Sequence, residues 1–168
     1  MASLEEMLVD QLKDAYSAEK QGVQAMRKAL RKATDPELKK GIEAHIAQTE
    51  DQRERVEQAL ERMGSKPGRK VCEAMRGLVE EATHEIDEYD KGPLLDLVIV
   101  AAQQRIEHYE IAAYGTMAEL AKAGGQQEVA EIVAAILEEE KAQDVQLTEA
   151  TRSTLLPAAL KAEQKKAA

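Results

Sequence analysis

Apolar residues recur along this chain in one-sided stripes. Leu4, Leu8, Leu12, Ala15, Glu19, Gly22, Met26 and Leu30 follow one another in steps of three and four, the spacing that keeps side chains on one helix face. They predict a helix from Leu4 to Lys32. Asp35-Pro36 then supplies an N-cap and a first helical residue. A second stripe follows: Leu38, Ile42, His45, Thr49, Gln52, Val56, Ala59 and Met63. The breakers Gly64-Ser65-Lys66-Pro67-Gly68 end it. A shorter amphipathic helix is predicted from Val71 to Tyr89, with Ala74, Leu78, Ala82 and Ile86 about a turn apart. Past Gly92-Pro93, a helix from Leu94 to Ala123 carries Leu95, Ile99, Ala102, Ile106, Glu110, Ala113, Met117 and Leu120. Past Gly124-Gly125, a last one from Gln126 to Ala150 carries Val129, Ile132, Ile136, Glu140, Gln143 and Leu147.

The connections choose the topology. The first two long helices are joined by a tight turn, and so are the last two, which makes each pair an antiparallel hairpin. The link between the hairpins is long and holds its own short helix. Two tight hairpins joined by one long crossover is the ferritin-like arrangement among four-helix bundles. The expectation is therefore an all-α, ferritin-like four-helix bundle over 1–152, with a short fifth helix in the crossover. The polar, Ala-rich remainder, 153–168, reads as a partly disordered tail.

Composition agrees and removes alternatives. A chain of 168 residues suits one domain. Aromatics are 2%, with no Trp or Phe, so a sheet leaning on aromatic residues is excluded. The net charge of −9 argues against nucleic-acid binding, where phosphates set the affinity. The lone Cys72 excludes an internal disulfide and a C-x-x-C zinc site. It reads as a small hydrophobe at the start of the short helix. The N-terminus shows no basic segment leading into an apolar one, so no secretory leader is expected. The apolar run from Leu94 to Ala102 is too short for a membrane and contains Asp96. A cytoplasmic protein without membrane partners is expected. Gly64 to Gly68 lacks the P-loop pattern, and neither Ser65 nor Ser153 has a His and an acid arranged as a triad. Arg27-Lys28 and Arg31-Lys32 lie near a helix C-terminus and complement its dipole.

The stripes also carry the candidate chemistry. Each has polar residues where apolar ones belong: Glu19 on the first, His45, Thr49 and Gln52 on the second, Glu110 on the third, Glu140 and Gln143 on the fourth. Glu107 lies one turn before Glu110, and Asp144 one turn after Glu140. A lone buried carboxylate is costly unless paired or bound to a cation. Folding the first hairpin about Thr34 sets Glu19 beside Thr49 and Val23 beside His45. Folding the second about Gly124-Gly125 sets Glu110 beside Glu139 or Glu140. The inference is one acidic layer, with Glu19, Glu107, Glu110, Glu140, Asp144 and His45 as metal ligands. Thr49, Gln52 and Gln143 would support them by hydrogen bonds. Tyr16, Tyr109 and Tyr114 lie near the same level, to orient ligands or simply to pack. His84 and His108 face solvent. Oxygen ligands with one imidazole suit iron or manganese.

Several segments, taken together, resemble the YciF-type bacterial stress proteins, a branch of the ferritin-like superfamily. They are Leu12 to Gln21, His45 to Thr49, Cys72 to Met75, Glu107 to Tyr114 and Glu139 to Asp144. The resemblance implies a ferritin-like bundle, a homodimer and a link to stress. Di-iron enzymes of this architecture use Glu-x-x-His on two helices. Here those slots hold Thr49-x-x-Gln52 and Glu140-x-x-Gln143. Two readings follow: a dinuclear iron or manganese protein with redox chemistry, or a dimeric scaffold whose metal-free acidic core is held by protons.

Overall fold

The computed structural model describes residues 3–167. Helices α1 (Leu4–Lys32), α2 (Pro36–Arg62), α3 (Glu73–Asp87), α4 (Pro93–Ala123) and α5 (Gln127–Ala150) appear in the expected order. A π-helical turn, Thr151–Leu155, leads into α6, Leu156–Ala167. α1 packs on α2 and α4 on α5, and the hairpins join through α1 against α4 and α2 against α5. α3 lies outside this square, on α1 and α4. This is the ferritin-like bundle with its helix-bearing crossover.

Local chemistry sets the helix ends. Ser3 and Glu6 form a reciprocal capping box at α1. The Asp35 side chain accepts from the Leu38 N–H at 2.8 Å, and Pro36 opens α2. α2 and α4 both finish in a left-handed glycine, Gly64 at φ 65° and Gly125 at φ 72°. The next N–H then reaches back, Ser65 to the Leu60 carbonyl at 2.9 Å and Gln126 to Ala121 at 2.8 Å. That is the Schellman ending, for which glycine pays no Cβ penalty.

Two apolar clusters fill the bundle, one toward each end. Leu8, Leu12, Val56, Leu60, Met117 and Ile136 belong to the first. Met26, Ile42, Leu95, Ile99, Leu147 and Leu155 belong to the second. Along each of the four helices the polar stripe residues fall between these two sets.

The expected tail is not what the described residues show. Leu155 and Ala159 are buried, and α6 packs on α4. The π-helical turn lies just before Pro157, which has no N–H to give to the Ser153 carbonyl; a widened turn accommodates that gap. Ala168 lies outside the described residues. On sequence alone this segment lacks a long stripe: among its described side chains, Leu155 and Ala159 are the ones that reach the core.

Asp96 ties the hairpins together. Its carboxylate is buried in the first turn of α4. It accepts from the Thr34 N–H at 2.6 Å, the Thr34 hydroxyl at 2.5 Å and the Asp35 N–H at 3.0 Å. The turn of one hairpin is thus clamped to the start of the other. Asp96→Ala leaves half-buried donors of the Thr34 turn without their acceptor, so it is expected to cost about 2 kcal/mol. Urea unfolding checks this: a loss under about 1 kcal/mol would show that the clamp does not carry the junction.

Candidate metal centre

Four helices bring their acids to one level. Glu19 of α1, His45, Thr49 and Gln52 of α2, Glu107 and Glu110 of α4, and Glu140 of α5 are all buried. His45 sits between two carboxylates, its Nδ1 3.6 Å from Glu107 Oε1 and its Nε2 4.0 Å from Glu140 Oε2. One ligand atom each from His45, Glu107 and Glu140 lies within 4.8 Å of the others. The Glu107 and Glu140 carboxyls adjoin, so a proton on one can be shared with the other. The Tyr114 hydroxyl donates to Glu19, and the Gln52 amide donates to Glu140 and, at 3.0 Å, to Glu139. A small cavity, with roughly 10 Å³ of open space, is lined by His45, Thr49, Gln103, Glu107 and Glu110. That is about the room of one water molecule or ion.

Burial and mutual repulsion push these acids toward their neutral forms. Glu19 rises from 4.5 to about 8, through burial and then the neighbouring Glu140 charge. Glu107 rises to about 11, through burial and its hydrogen bond with Glu140. Glu110 and Glu140 are raised too, burial again being the largest cause. His45 falls from 6.5 to about 4 because burial disfavours the imidazolium. Near pH 7 its ring is neutral and keeps a nitrogen lone pair available.

Other expected members stand apart. Asp144 receives a bond from Gln104 at 3.1 Å and lies 3.3 Å from His108, at the edge of the layer. His108 is exposed as expected, but paired with Asp144. Gln143 lines a cleft with Leu38, Ile42 and Leu147. Tyr114 is the one tyrosine that touches the acids. The Tyr109 hydroxyl donates to Asp14 at 2.9 Å and lies 2.9 Å from the Cys72 sulfur. Tyr16 is half-buried against the first apolar cluster. Cys72 is fully buried, as a small hydrophobe would be, but its sulfur also has polar partners, accepting from the Met75 N–H at the start of α3 and meeting the Tyr109 hydroxyl.

Two features escaped the sequence reading. Arg55 Nη2 donates to Glu139 at 2.5 Å, and Glu139 shares the Gln52 amide with Glu140. A cation thus approaches the layer from the side. Gln103, one turn before Glu107, is buried with neither amide atom partnered. Its place on α4 at i−4 from Glu107 was a readable signal for the second feature. Arg55 carried none, since exposed arginines are common on helices.

The residues fit a cation. Glu19 Oε2, Glu107 Oε2, Glu140 Oε2 and His45 Nδ1 are buried and have no hydrogen-bond partner. Unpaired buried polar atoms are rare in native proteins. Three carboxylate oxygens and an imidazole nitrogen form a donor set that iron, manganese or zinc accepts.

Known proteins share this architecture. The family described as "Domain of unknown function (DUF892)" matches residues 3–160. Protein YciF of Escherichia coli is 41% identical over 150 residues, covering 89% of this chain and 90% of that one. The crystal structure of that protein, described as a stress protein, superposes with a TM-score of 0.84. YcfI of Rhodopseudomonas palustris, described as a putative structural protein, is 37% identical with the same TM-score, covering 88% of this chain and 94% of that one. A ferritin-like, diiron-carboxylate protein of Bacillus anthracis shares the fold at a TM-score of 0.70 and 12% identity, covering 89% and 98%. With its sequence, its bundle and its crossover helix all in agreement, the chain belongs to the DUF892 family, to which the YciF resemblance had pointed.

Proposed function

We propose that this chain holds a dinuclear centre of iron or manganese and serves in a bacterial stress response. The observation that carries the reading is the set of four unpartnered buried atoms, three carboxylate oxygens and one imidazole nitrogen, at the middle of the bundle. Glu19, Glu107, Glu110, Glu140 and His45 are the ligands. Four ionised carboxylates carry the charge that two divalent cations balance, and a neutral His45 adds none. Iron or manganese so bound supplies one-electron redox chemistry. The protein's part is to hold the ligands still: Tyr114 fixes Glu19, Gln52 fixes Glu140, and Arg55 steadies Glu139 beside it. The two apolar clusters keep bulk water away. Asp144, held by Gln104, contributes charge from the edge. The reading includes a homodimer in the cytoplasm, consistent with kinship to the E. coli stress protein.

One observation favours a second reading, a metal-free scaffold. The Glu107 and Glu140 carboxyls adjoin, so a shared proton can take the place of a metal, and Gln52 stands where a di-iron enzyme has an imidazole. Protons could then hold the layer alone. The two readings differ in what melting temperature does with metal and with pH.

If metal binds, Mn(II) or anaerobic Fe(II) at a hundredfold its Kd is expected to add about 2.7 kcal/mol, or about 5–10 °C in Tm. Glu110→Gln should remove most of that shift and leave the metal-free fold intact. Equal shifts in both proteins would exclude Glu110 as a ligand.

For the metal-free protein, the raised acids bind protons more tightly when folded. Their contribution is fully present below their ordinary value of 4.5 and is lost as pH rises through about 8 for Glu19 and toward 11 for Glu107. His45 acts oppositely between about 4 and its ordinary 6.5. The clearest window is therefore pH 6.5 to 8, where chelator-treated protein should lose Tm. Metal must displace these protons, so its stabilisation should grow over the same window. A metal-induced shift that shrinks with rising pH would contradict the ligand assignment.

A further inference from the structure

A second cavity lies between α1, α3 and α4, away from the acid layer's centre. Its volume is about 510 Å³, within the roughly 300–1,000 Å³ usual for small-molecule pockets. Its floor is aliphatic: Met26, Val79, Ile86, Ile99 and Ile106 all line it. Its rim is cationic. Lys28, Arg31, Lys32 and Lys91 border it, against one acid, Asp87. Asp87 is taken by Lys32. Among the described residues no ion pair is made by Lys28, Arg31 or Lys91, and Lys91 reaches only the Arg31 carbonyl, at 3.4 Å. Three uncommitted cations around one apolar mouth are notable in a chain of net charge −9. Helix-dipole compensation explains Arg31 and Lys32 at the end of α1. It does not explain Lys91, which comes from the link before α4.

The floor carries a further unexplained group. Gln103 is buried, its amide nitrogen and oxygen both lack partners, and it lines this cavity as well as the small one beside Glu107. An ordered water where this cleft adjoins the small cavity would satisfy such an amide and leave the rest of the floor aliphatic.

We infer that this cleft binds a single-chain amphiphilic anion, its alkyl part on the aliphatic floor and its head group at Lys28, Arg31 and Lys91. Apolar walls with a few convergent polar groups are the general form of such a site. Opposite charge at the mouth orients the ligand, and burial of the chain holds it. A carboxylate and a phosphate head share this chemistry. The inference does not depend on metal in the acid layer, so it is tested in chelator-treated full-length protein.

Isothermal titration with dodecanoate, dodecyl phosphate and neutral dodecanol, all below their aggregation limits, decides it. At least one anion should saturate near one per chain, and the tighter of the two identifies the head group. Dodecanol should bind at least tenfold more weakly. The double variant Lys28→Glu/Arg31→Glu should weaken the anion at least tenfold, and Ala25→Leu, which fills the cleft wall, should weaken anion and alcohol alike. Melting curves of the variants establish that they remain folded, and either variant alone suffices for the test. The proposal is overturned if neither anion saturates, if dodecanol binds as well, or if a folded variant binds like the parent. It is equally overturned if the cleft is a subunit interface, seen as a dimer that the charge-reversed variant splits and that takes up no anion.

Discussion

The structure turns on an acidic layer buried away from bulk water. Four carboxylates and an imidazole occupy positions that apolar side chains hold elsewhere on the same stripes. Burial alone makes ionised carboxylates costly, and proximity makes each one worse for the next. The layer therefore needs positive charge from somewhere. Protons supply part of it, as the raised Glu19 and Glu107 indicate. Arg55 supplies some from the side through Glu139. Arg55 does not reach the unpartnered oxygens at the centre; a proton or a cation would satisfy them.

The remainder of the fold keeps that layer together. Apolar clusters on both sides grip the helices above and below it, so the acids cannot slide apart without exposing Leu12, Val56, Ile42 or Leu95. The glycine endings of α2 and α4 stop those helices at defined places. Asp96 then fixes one hairpin against the other by gripping the Thr34 turn. Were the hairpins to shift by one turn, roughly 5.4 Å, His45 would lose its place between Glu107 and Glu140.

Much of this was legible in the order of residues. Helix periodicity located five helices, and the tight turns at Thr34 and Gly124-Gly125 against the long link gave the topology. The hairpin register placed polar residues of all four stripes at one level because a helix rises uniformly along its length. Legibility failed where direction, rather than level, mattered. Asp144 shares the level of the layer but is held at its edge by Gln104 and His108. Gln143 has the spacing of a ligand yet faces Leu38 and Leu147. Tyr109 turns away from the layer to Asp14 and Cys72, whereas Tyr114 meets the layer's Glu19. Asp96 was noticed only as a charge within an apolar run; its three donors come from residues far away in sequence. Among the described side chains after Ala150, Leu155 and Ala159 are the buried ones, too few to make a pattern.

Anomalous diffraction from crystals grown in excess manganese shows whether a metal completes the layer. Peaks are expected at the bundle centre, among Glu19, Glu107, Glu110, Glu140 and His45. A map with no anomalous density there, from crystals showing manganese elsewhere on the protein, would contradict it and leave protons as the layer's only counter-charge.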